Sequence, residues 1–157
     1  MANNYQQHSF MIDSLTPAEA YWIRKKFDEI DKKNDDEDEQ EPIWIGDVAL
    51  EDGHFVYDPP LEDGKEPVAE QIKEHPKSLW LYSEEGADLD SLVDFLQDFL
   101  KENRPDSYIG FEWANTCSKM RLDEFSGGAV FITAEKTDWV STYDFLETKR
   151  KEFEAAK

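Results

Sequence analysis

The stretch WANTCSKMRLDEFSGGAVFITAEK, Trp113 to Lys136, gathers the residue types of a nucleophilic site: Cys117, Ser118, Lys119 and Arg121, followed by Gly127 and Gly128. A reactive thiol needs an electropositive setting and a base within reach. Lys119 and Arg121 could supply the first, and His8, His54 or His75 the second, but no local signature ties a histidine to the cysteine. A single cysteine at a strand end reads by default as a small buried hydrophobe. The glycine pair precedes an apolar β-type run rather than a helix and lacks the spacing and lysine of a phosphate-binding loop. Positive φ or the close approach of a second backbone is the expected reason for it.

Metal chemistry has less support. Asp35, Asp36, Glu37, Asp38 and Glu39 offer hard oxygen ligands, but no register supplies the glycine and terminal glutamate of a calcium loop. The three histidines stand 46 and 21 residues apart, without ligand spacing. The sequence therefore assigns no catalytic residue, no metal and no cofactor.

The acidic residues form the better pattern. Asp90, Asp94 and Asp98 recur at four-residue steps, which on a helix makes one stripe with charges about 6 Å apart along the axis. Like charges at that spacing disfavour the helix by a few tenths of a kcal/mol per pair, roughly 0.2–0.5. A contact role would explain such a cost. A second concentration lies in residues 28 to 66, where 16 carboxylates face three lysines; Asp35, Asp36, Glu37, Asp38, Glu39 and Glu41 are its densest part. The chain as a whole carries −20. Free nucleic acid is excluded as a direct ligand because phosphate binding needs clustered cations. A basic protein surface is the expected partner, and a row of carboxylates could imitate a nucleic-acid backbone in its groove.

These residues must be positioned by a folded core. Aromatic residues make up 13% of the 157, too many for a disordered acidic tail. The first residues are polar and no run of about 18 apolar residues occurs, so the expectation is a cytoplasmic protein without a membrane segment. A lone cysteine agrees with a reducing compartment. One domain over residues 1–157 is expected, with a mobile acidic loop at about 33–42 and an irregular proline-rich segment at about 58–67.

Three helices are predicted. The first begins at Thr16 as N-cap, with Pro17 at the first helical position and Glu19 completing a capping box; Ala20, Ile23, Phe27 and Ile30 give its apolar face. The second spans Asp88 to Asn103, and the third Thr142 to Ala155 with Ser141 as cap and Phe145, Leu146 and Phe153 available to pack. Strands are expected at Ser9–Ile12, Ile43–Leu50, His54–Asp58, Ser78–Ser83, Ser107–Ala114 and Gly128–Ala134, with a short run following. Ile43–Leu50 and His54–Asp58 read as a hairpin turning at Glu51-Asp52-Gly53. Together they define an α+β fold, a mainly antiparallel sheet of about five strands with helices covering one face.

From Tyr82 to Ala134 the chain resembles a group of small acidic proteins carried by bacteriophages, plasmids and their bacterial hosts. The residues that carry the resemblance are Arg104, Pro105, Trp113, Ala114, Thr116, Cys117, Ser118, Lys119, Arg121, Glu124, Phe125, Gly127, Gly128 and Ala129. Met120 and Ser126 depart from the pattern, standing where proline and a third glycine are expected. The resemblance implies a mobile-element setting, in which small acidic proteins often inhibit host defence or nucleic-acid-handling machinery. Two readings stand: a non-catalytic interaction protein acting through its acidic surface, and a small enzyme or ligand-binding domain centred on the Cys117 to Arg121 loop.

Overall fold

The computed structural model describes residues 3–36, 42–122 and 124–157. Its elements in chain order are strand β1 (Asn4–Ile12), helix α1 (Pro17–Asp35), strands β2 (Asp47–Glu51) and β3 (Val56–Tyr57), a single 3-10 turn (Ala69–Gln71), strands β4 (Ile72–Glu74) and β5 (Ser78–Ser83), helix α2 (Leu89–Asn103), strands β6 (Tyr108–Cys117), β7 (Ser126–Thr133) and β8 (Thr137–Ser141), and helix α3 (Thr142–Ala155). Six strands form one sheet in the order β2-β5-β1-β6-β7-β8, and β3 pairs with β4 in a second. The fold is α+β with a mainly antiparallel sheet. No helix among the described residues is long and apolar enough to cross a membrane. The chain divides into two compact units, Phe10–Leu81 and the remainder, Met1–Ser9 with Tyr82–Lys157.

In the Phe10–Leu81 unit, α1 starts as its sequence dictates. The Thr16 side chain accepts from the Glu19 backbone N–H at 3.1 Å, and the Glu19 carboxylate accepts from the Thr16 N–H at 2.9 Å. This reciprocal pair satisfies two of the orphan donors of the first turn, and Pro17 removes a third. Ala20 and Ile23 are fully buried, and Leu15, Ile45, Ile72, Leu79 and Leu81 complete the apolar interior. The helix runs to Asp35, past Ile30, the last residue of its predicted apolar face. Asn34 then exchanges two hydrogen bonds with the Ile43 backbone, at 2.8 and 2.7 Å.

The predicted hairpin is corrected here. Its turn chemistry is present, with Asp52 at φ 62° and Gly53 at φ 138°, but β2 and β3 lie in different sheets. The turn instead brings Gly53 against the His75 carbonyl, which a Cβ would approach to 2.6 Å. Ser78 Oγ donates to Asp52 at 3.0 Å, and the Lys77 N–H donates to the Glu51 carbonyl at 3.0 Å. The proline-rich segment 58–67 carries no helix or strand.

In the other unit, β6, β7 and β8 are antiparallel in continuous register, Phe111 opposite Val130 and Val130 opposite Trp139. Strand alternation sends Phe111, Val130 and Ile132 to one face, where they are 6%, 2% and 0% exposed. Helix α2 packs there with Leu92, Val93, Phe95, Leu96, Phe99 and Leu100, all buried, and Gln97 donates to the Thr133 carbonyl at 3.1 Å. The opposite face carries Tyr108 stacked on Phe131, ring centroids 4.9 Å apart, both exposed.

Candidate functional site

Helix α2 is held at both ends and along its inner face, and this fixes what its outer face presents. Asp88 caps the N-terminus by accepting from the Asp90 N–H at 3.1 Å and from the Ser91 hydroxyl at 2.8 Å. Six apolar side chains anchor the inner face. Asp90, Asp94 and Asp98 are all exposed on the outer one, and none forms an ion pair among the described residues.

Glu102 extends the row by one more four-residue step and is exposed as well. The same spacing in the sequence signals it, and the sequence reading stopped one step short. From Glu84 to Asp106 eight carboxylates meet two cations. One of those cations, Arg104, lies over the Phe99 ring at 5.4 Å. Four charges at about 6 Å intervals are sparser than the one per ~1.7 Å of a DNA duplex axis, so the row corresponds to part of one backbone.

The second acidic set is only partly described. Asp35 ends α1 and Asp36 follows it, its N–H donating to the Lys33 carbonyl at 3.2 Å; both are exposed. Glu37, Asp38, Glu39 and Glu41 lie outside the described residues.

The candidate loop site is divided by the structure. Cys117 is the last residue of β6, half-buried, opposite Asn4. Ser118 is tied to Asn3 by two hydrogen bonds of 2.8 Å, one through its hydroxyl. Lys119 and Arg121 are exposed beyond it, with Met120 93% and Leu122 91% exposed. His8, the histidine of the same unit, does not join this group. His8 is buried four residues along β1 from Asn4, a displacement of about 13 Å along the strand, with its ring 5.9 Å from that of Phe111. His54 meets Glu74 at 3.5 Å, and His75 sits 2.9 Å from the Leu15 carbonyl. No group of three or more His, Cys, Asp or Glu side chains among the described residues could hold a metal ion.

Gly127 and Gly128 lie inside β7, not in a loop, opposite Ala114 and Trp113. A Cβ on Gly127 would come within 2.6 Å of the Trp113 carbonyl, and one on Gly128 within 2.4 Å of both the Trp113 indole and the Val140 carbonyl. Close approach, not positive φ, requires them. The Gly127 N–H donates to Thr142 Oγ1 at 3.0 Å, fastening β7 to the first residue of α3.

Beside these glycines lies a groove of about 730 Å³ that sequence reasoning missed. Register places Gln7, Ala114 and Gly127 in one cross-strand row and Glu112, Ala129 and Val140 in the next, on the sheet face away from α2. Phe145 and Leu146 of α3 form its wall. The signal available in the sequence is the run of small residues at alternate positions of two strands, Ala114, Gly127 and Ala129, which leaves a sheet face low. Neither Cys117 nor Lys119 nor Arg121 lines it.

Comparison of the chain with protein-family models, curated proteins and solved structures finds no match.

Proposed function

We propose that this chain is a non-catalytic acidic interaction protein, encoded by a phage or another mobile element, that works in the cytoplasm of a bacterial host. Its partner is a basic protein, of the kind that binds nucleic acid, whose groove is occupied by carboxylates in place of phosphates. The effect is inhibition of host defence or of nucleic-acid-handling machinery. The observation that carries the reading is the exposed row Asp90, Asp94 and Asp98 on a helix whose inner face is wholly buried. Rigid mounting means that little entropy is lost when the row docks, and unpaired carboxylates need not break an existing ion pair first. Asp35 and Asp36 offer a further acidic contact.

The alternative, an enzyme or ligand site on Cys117, Ser118, Lys119 and Arg121, draws no support from His8, whose ring lies against Phe111, about 13 Å along β1 from the residue opposite the thiol. The test is competition. A basic DNA-binding protein captured by the immobilised chain should be released by duplex DNA, and capture should fail when Asp90, Asp94 and Asp98 are all replaced by Asn. Equal capture by that triple variant would overturn the reading.

A further inference from the structure

Helix α3 buries no residue: Phe145, Leu146 and Phe153 are 54%, 66% and 66% exposed. They occupy one face, since Phe145 and Phe153 are eight residues, or about 12 Å, apart along the axis and Leu146 flanks them. The adjoining open sheet face adds Tyr108, Phe131 and Val140, each 44% exposed or more. At about 200 Å² per aromatic side chain, these six present on the order of 600 Å² of apolar surface. An average partner in a stable complex contributes roughly 800 Å² in total, of which about 60% is apolar. The patch is large enough for one complete interface.

Charge selects the occupant. Residues 137 to 157 hold five carboxylates and four cations, a net of −1, whereas residues 1 to 136 carry the other −19. A basic partner is drawn to the acidic regions, not to this one, and nucleic acid finds no net positive surface here. For a second copy of the same acidic chain, this is the part of the surface where approach costs least. The surface is also self-complementary. An antiparallel α3 pair sets Phe153 of each copy beside Phe145 and Leu146 of the other, at the mouth of the groove. The groove's one carboxylate, Glu112, has no ion pair among the described residues, and a second α3 brings Lys149, which shares the face of Phe145 and Phe153, toward it.

We infer that the chain forms a two-fold homodimer through the open face of β6–β8 and helix α3, with the groove as the receptacle for the partner copy's Phe153. The dimer leaves the outer row of α2 on a separate surface of the same unit, so it stands or falls independently of the proposed basic partner.

Sedimentation equilibrium of the full chain between micromolar and about 100 μM is the test. The expected result is a mass twice that of the chain, with dissociation weakened by added salt, because screening relieves the repulsion between two −20 chains. Phe153 makes no apolar contact in the core, so Phe153→Asp should keep the circular dichroism spectrum and melting temperature of the monomer while raising the dimer dissociation constant at least about tenfold, the scale of an interface hot spot. A photo-crosslinking residue at position 153 should link to residues 142–146 of the other copy. A parent chain that stays monomeric throughout, including one whose groove takes up an apolar dye, would overturn the inference. So would a dimer unaffected by Phe153→Asp, or one that salt dissociates.

Discussion

Trp113 and Gly128 face each other across β6 and β7, and the indole lies in the space a side chain on Gly128 would fill, 2.4 Å from the position of its Cβ. The same indole meets that of Trp139 edge-on, centroids 5.7 Å apart at 68°. Swinging the indole away would not make room, because the Val140 backbone carbonyl lies equally close to that Cβ position, at 2.4 Å. Gly128→Val should therefore cost at least the 1–3 kcal/mol typical of overpacking, read as a lower denaturant midpoint and a changed tryptophan emission. A variant that unfolds with the parent would show that both Trp113 and the Val140 backbone can shift to make room.

The acidic row makes two opposite demands on one variant. Replacing Asp90, Asp94 and Asp98 by Asn removes three like-charge pairs at four-residue spacing, the last of them Asp98 with Glu102, worth roughly 0.2–0.5 kcal/mol each, so α2 should be at least as stable as before. Partner binding should weaken, chiefly through slower association, and its salt dependence should flatten. Stopped-flow association at several ionic strengths measures both. Unchanged association rates would remove the row from the contact.

Cys117 is half-buried at the end of β6, where a hydroxyl can reach solvent. Cys117→Ser should accordingly lower stability by no more than about 1 kcal/mol, less than an imperfectly buried hydroxyl costs, and leave partner binding within a few-fold. A folded Cys117→Ser protein without biological activity would restore the catalytic alternative.

Thr16→Ala removes the hydroxyl that accepts from the Glu19 N–H, while the backbone N–H at position 16 can still donate to the Glu19 carboxylate. A loss of about 1–2 kcal/mol is expected, with Thr16→Ser close to the parent. Chemical denaturation of the three proteins in parallel decides it.

The start of α1 was legible in the sequence because a cap is a local device: threonine, proline and glutamate within four residues settle it without reference to the rest of the chain. The Ser141 cap of α3 was readable for the same reason, and its hydroxyl does accept from the Asp144 N–H at 3.0 Å. The β2–β3 hairpin failed because Asp-Gly reports only that the chain turns. Which strand each arm then joins depends on partners far away in sequence, β5 for one and β4 for the other. Gly127 and Gly128 fall between these cases. Their need for close approach was readable as one of two options, but the atoms that crowd them come from Trp113 and Val140, on two other strands. The face of α3 was legible as apolar, and no periodicity distinguishes a stripe that packs inside its own chain from one left outside it. The groove was illegible because it requires two strands in known register.

Three of the four carboxylates in the outer row of α2, Asp90, Asp94 and Asp98, are aspartates, and only the last, Glu102, is a glutamate. An aspartate has two side-chain torsions where glutamate has three, so its carboxylate travels less and loses less rotamer freedom on being held. Spaced by one helical repeat on a backbone that Phe99 and five neighbours hold in place, the charges act as a comb of fixed pitch. Cations at a different interval cannot be met by the side chains stretching to fit. In the proposed complex, selectivity among basic surfaces would reside in distance, a property that net charge alone does not confer.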